Sequence, residues 1–99
     1  ELAVVVVEAQ KPSEKVPAIE QTYSAGAVCL ALLNAALASG WGANWLSGWP
    51  SHDREFVETG LDLGSDERIA GIIHIGTEKM APPERPRPNL ETLTMWVEA

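Results

Sequence analysis

Apolar positions along this chain fall into long runs, and the polar stretches between them set the limits of its elements. Leu2 to Glu8 (LAVVVVE) is an unbroken, mostly β-branched run. Strands covered on both faces read this way, so a central strand is expected here. Gln10 to Lys15 is a polar loop carrying Pro12 and Ser13. From Ala18 to Ser39 the pattern is helical, with Pro17 suited to its first turn and Glu20 placed where the helix dipole favours an acid. Between Tyr23 and Ala38 the only strongly polar side chains are Ser24 and Asn34, so most faces of this helix should be buried. Gly40 ends it, glycine being preferred just past a helix C-terminus.

The second half is more broken. Trp41 to Pro50 (WGANWLSGWP) is rich in Gly, with Ala43 to Leu46 as a short strand. Ser51 suits the N-cap of a short helix reaching Glu58, with Asp53 and Glu55 in its first turn. Gly60 to Glu67 is a turn-rich link, and Arg68 to Thr77 (RIAGIIHIGT) is a second strand, apolar on both faces. The tail APPERPRPNL is stiffened by four prolines, and Leu90 to Val97 alternates as a terminal strand or an arm reaching another subunit would. Two strands covered on both faces need more sheet than this chain supplies. Strands from an absent N-terminal portion or from a partner are expected, in keeping with a chain that opens on Glu1 and a valine run.

Composition narrows the function classes. Ninety-nine residues suit a single domain, and a formal charge of −7 argues against a nucleic-acid backbone as partner. The single Cys cannot form an internal disulfide, which fits a reducing compartment and a cytoplasmic location. The opening has an acid where a signal peptide needs a basic region. The apolar helix falls short of the roughly 18 to 20 residues of a membrane span and lacks basic flanks, so no membrane is expected.

Most candidate chemistry dissolves on inspection. Gly40-x-Gly42 follows a helix, whereas a dinucleotide fingerprint must precede one. Ser51, His52 and Asp53 are adjacent, so their side chains diverge. His74 within its strand reads as a core histidine, Cys29 reads as packing, and no set of ligands has metal-site spacing. Two signals survive. Three of the four tryptophans lie between Trp41 and Pro50 beside two glycines. Such a stretch either walls a planar ligand or plugs the core. Lys79, Arg85 and Arg87 gather three of the seven basic residues within nine positions. Arginines at alternate positions of an extended segment suit a phosphate, a solvated tail, or a PxxP ligand for another domain.

With these pieces in order, the chain resembles the C-terminal half of the nitroreductase family of flavin mononucleotide (FMN) proteins, in particular its small single-domain NAD(P)H type. VVVVEAQ matches a sheet strand; EQTYSAGAVCLALLNAALASGWGANWLSG, a short helix and RIAGIIHIGTEK-x-PPERPRP follow in the family's order and cover nearly all the chain. The resemblance implies an α+β fold, with residues 1–99 forming the C-terminal part of one domain and central strands flanking a long buried helix. It implies a homodimer built largely on that helix, with FMN between the subunits. Trp45, Leu46, Ser47 and Gly48 match the segment that touches the flavin. Ala35, Ala36, Leu37, Ala38, Ser39 and Gly40 match the helix end that some members use for the nicotinamide nucleotide. Arg85 and Arg87 match basic positions that hold the FMN phosphate. Small members often carry Arg where this chain has Leu46, and the family's N-terminal Arg-Arg-Ser-type motif lies upstream of Glu1.

The function this implies is an oxidoreductase passing hydride from NADH or NADPH through flavin to a nitroaromatic, a quinone or a related acceptor. The intact protein would be active, and the 99-residue chain alone would not. The competing reading is a non-catalytic dimeric interaction module with a Pro-rich C-terminal arm.

Overall fold

In the computed structural model, which describes residues 1–98, three apolar runs become strands and share one antiparallel sheet. Leu2–Ala9 (β1) pairs along one edge of Glu67–Gly76 (β3), from Leu2 opposite Ile75 to Ala9 opposite Glu67. Gly42–Leu46 (β2) pairs along the other edge, from Gly42 opposite Gly76 to Leu46 opposite Ile72. The order is therefore β1-β3-β2, with β3 in the centre and the valine run at an edge. That corrects the expectation of a central β1. A continuous β-branched run reports contact with apolar neighbours, and it says nothing of which strand has a partner on both sides.

Ala18–Ala38 (α1) packs across the sheet against all three strands. It begins at Ala18 as expected, with Pro17 as its N-cap rather than within its first turn, and Glu20 lies in that turn. At the far end the Gly40 N–H donates to the Leu37 carbonyl at 3.1 Å and the Trp41 N–H to the Ala36 carbonyl at 3.1 Å. These are the two bonds of a Schellman ending, and Gly40 takes the positive φ of +90° that it requires.

Only one stripe of α1 is buried within this chain: Cys29 and Ala36 are covered, while Tyr23, Val28, Leu30 and Leu37 are exposed. The helix is 21 residues long and includes an 18-residue window of mean hydropathy 1.2, so its length does not argue against a membrane span as the sequence suggested. One stripe of it packs against all three strands.

Further along, Trp49–His52 (α2) is a single turn that breaks at Asp53, where the backbone becomes extended. Ser51 thus sits inside the turn rather than capping it, with its Oγ buried and unpaired. The capping role falls to Asp53, whose Oδ1 accepts the Phe56 N–H at 3.1 Å and opens a π-helical turn over Phe56–Gly60. Arg54 secures the following link by donating to the carbonyls of Glu67 and Gly64 at 2.9 and 3.2 Å. His74 is exposed and is not the core histidine anticipated. Its neighbours Ile73 and Ile75 take the face towards α1, and alternation sends His74 to the other.

Beyond Gly76 the chain leaves the sheet as an exposed arm. Within the arm Leu90–Leu93 (α3) forms one helical turn in place of the alternative of a terminal strand, with the Asn89 side chain accepting the Glu91 N–H at 3.0 Å. The arm explains a radius of gyration of 16.9 Å, against about 13 Å for a compact chain of this length.

Candidate functional site

Trp45 lies opposite Ile73, so its side chain takes the face of the sheet that meets α1. The indole covers Gly71, two positions along β3. A Cβ on Gly71 would overlap Trp45 Nε1 and stand 2.9 Å from Cys29 Sγ. A glycine inside an apolar strand is therefore what lets the Trp45 indole approach β3 this closely beside Cys29. Cys29 is fully buried at this junction, and burial pushes its thiol pKa up, which keeps it a neutral packing group.

With Trp45 seated, Leu46 closes the ladder opposite Ile72, and Ser47 and Gly48 project past it. Leu46, Ser47 and Gly48 are exposed. Gly48 adopts φ 86° and ψ −166°, a conformation open essentially to glycine alone, so this surface carries backbone without a side chain. Trp49 stands beyond it, edge-on to Phe56 with ring centroids 5.2 Å apart.

A separate cleft of about 540 Å³ opens at the C-terminal end of α1. Leu32, Ala35, Ala36, Ser39, Trp41 and Ile75 form much of its wall. Of the helix-end residues expected at a nucleotide, Ala35, Ala36 and Ser39 meet here, while Leu37, Ala38 and Gly40 are exposed outside the lining. The small side chains of that helix end make the space, and the Schellman turn swings Trp41 to one side of it.

Arg85 and Arg87 lie on the exposed arm. Arg87 Nε donates to Glu84 Oε1 at 2.8 Å, and the described hydrogen bonds and ion pairs join neither arginine to Trp45–Gly48 or to the cleft. Among the described residues no group of three or more His, Cys, Asp or Glu could hold a metal.

The parts fit FMN as one wall fits a room. The bare Leu46–Gly48 turn suits the face or edge of a planar ring, and the arm supplies guanidinium groups of the right charge for a phosphate. Sequence reasoning located the turn and the helix end but missed Gly71, Leu32 and the cleft-facing role of Trp41. Gly71 had a signal, since an isolated glycine within a strand marks a close approach. Leu32 had none, being one apolar residue of a wholly apolar helix.

No family model matches the chain. Two curated relatives, both named "Putative NAD(P)H nitroreductase YdjA", from Escherichia coli strains K12 and O157:H7, are each 32% identical over 79 residues. The match takes in 80% of this chain and 43% of each relative, so the chain spans less than half the length of the curated relatives it matches. Among solved structures, a nitroreductase-like family protein from Bacillus cereus superposes with a TM-score of 0.81 at 27% identity. That superposition covers 98% of this chain and 51% of the other. The α+β arrangement expected from the sequence is thus the arrangement found, and in both sequence and fold the chain is similar to about half of a nitroreductase-like protein.

Proposed function

We propose that the protein carrying this chain is an FMN-dependent oxidoreductase of the nitroreductase type, taking hydride from NADH or NADPH and passing it to a nitroaromatic, quinone or related acceptor. The observation that carries this reading is the exposed Leu46–Gly48 turn, held in place by Trp45 lying on Gly71 within a nitroreductase-like fold. When bound, the flavin supplies the redox chemistry, and the protein's share is binding, orientation and electrostatics.

Each part of the chain then has a task. Trp45 fixes the height of the turn above the sheet, Ser47 and the peptide groups around Gly48 offer polar contacts to one edge of the ring system, and Leu46 excludes water beside it. The α1 end from Ala35 to Gly40 lies against the nicotinamide nucleotide. Arg85 and Arg87 hold the FMN phosphate once the arm is docked. The exposed apolar residues of α1 pack on a second copy, forming a homodimer with FMN between the subunits, and the rest of the same protein completes the pocket. Cys29 as a buried free thiol suits a cytoplasmic setting.

The test is optical. The purified native protein should show flavin absorbance that bleaches on addition of NADH or NADPH. A colourless protein that takes up no added FMN would overturn the reading.

A further inference from the structure

At the end of α1 away from the cleft, a buried carboxylate joins the sheet to the helix. Glu8 is 4% exposed, near the end of β1 and directly opposite Arg68 on β3. Arg68 Nε donates to Glu8 Oε2 at 2.5 Å, and the same guanidinium donates from Nη2 to Thr22 Oγ1 on α1 at 3.1 Å. Gln10 Nε2 donates to the same hydroxyl at 3.3 Å and to the Ala18 carbonyl in the first turn of α1 at 3.0 Å. Three elements therefore meet on one small polar network.

The strand geometry shows how Arg68 comes to be there. Gly71 faces α1, as its approach to Cys29 requires. Arg68 is three positions away, and in a regular strand an odd spacing puts two side chains on opposite faces. The register between β1 and β3 slips at this point: Val6 is opposite Gly71 and Val7 opposite Ile69, leaving Ala70 as the extra residue of a β-bulge. The slip returns Arg68 to the α1 face, which is one of the recognised uses of a bulge.

We propose that this bulge, with Glu8, Arg68 and Thr22, forms an acid-sensitive latch that fastens the N-terminal end of α1 to the sheet. The latch goes beyond the flavin reading and does not depend on it. Burial by itself pushes the Glu8 pKa up, but the Arg68 hydrogen bond and charge, with the polar groups of Thr22 and Gln10 nearby, outweigh it and leave the pKa lowered. Arg68 of β3 is the charged group acting on Glu8, and the contributions from α1 and from the segment after β1, Thr22 and Gln10, are neutral. A carboxylate whose pKa is lower folded than unfolded adds stability above its unfolded pKa and loses it as pH falls through the folded one. Acid should therefore free the start of α1 before its far end, which is held by the Schellman turn and apolar contacts and has the exposed Glu1 as a carboxylate on its cleft.

The experiment is hydrogen exchange on the native protein across the acid range, with protection corrected for intrinsic rates and compared between the first three and last three turns of α1. The expected result is a loss of at least about tenfold in the first turns on acidification, the size of a charge-assisted hydrogen bond, with the last turns unchanged. Glu8→Gln should remove that pH dependence. If this variant does not fold, Thr22→Val, which cuts only the link to the helix, should shrink it. Loss of protection at both ends together, or the same pH profile in a folded variant as in the native protein, would overturn the latch.

Discussion

Trp45 and Trp96 carry the same indole into opposite circumstances. Trp45 lies on Gly71 beside Cys29, between a helix and the central strand, and is 38% exposed. Trp96 stands on the arm at 90% exposed, in the company of Met95 and Val97, which are nearly as bare. The first region is held by contacts that this chain makes with itself. The second presents apolar surface that the chain does not cover, and an arm of that kind takes its position from whatever it meets. The proposed flavin site draws on both, so its two walls should respond differently to damage.

The largest effect should come from the self-contained wall. Gly71→Val would drive a branched side chain into Trp45 and Cys29, and overpacking at such a junction costs about 2–3 kcal/mol. The denaturant midpoint of the native protein should fall accordingly, and FMN should be lost with the turn that Trp45 supports. A variant of unchanged stability would mean that the indole is free to move aside, and the rigid half of the comparison would fail.

A smaller and more selective effect is expected from the arm. Replacing Arg85 and Arg87 together with Ala should leave the denaturant midpoint nearly unchanged, because the Arg87–Glu84 pair is exposed on both sides and contributes little. FMN binding should nevertheless weaken about tenfold or more, the size of a charge-assisted phosphate contact, while riboflavin, which has no phosphate, should bind as before. Equal loss of both ligands would show that the arm acts by shaping the protein rather than by holding the phosphate.

Much of this architecture was legible in the residues, and the gaps have physical causes. The β-branched runs, the long apolar helix and its stop at Gly40 come from local preferences that tertiary contacts do not override. Strand order is another matter, because Leu2–Glu8 and Arg68–Thr77 have the same apolar character whichever lies at the edge. The exposure of His74 followed from face alternation relative to a helix whose seat was unknown. Ser51 lost its expected capping role because the turn starts three residues earlier than expected, at Trp49, and Asp53 took over the next one. For the candidate site, Trp45 to Gly48 stood out by composition, but its geometry depends on Gly71, distant in sequence and next to it in space. The cleft depends likewise on β3 passing under the end of α1.

The central claim is that the Leu46–Gly48 turn faces the flavin, and Ser47 is the place to ask. It is exposed at the centre of that turn, so Ser47→Trp should leave the fold and its denaturant midpoint intact. The measurement is an FMN titration of this variant against the native protein. A loss of about tenfold or more in affinity, as expected when a bulky side chain fills space that a ligand occupies, is the result predicted here. An FMN affinity equal to that of the native protein would contradict it.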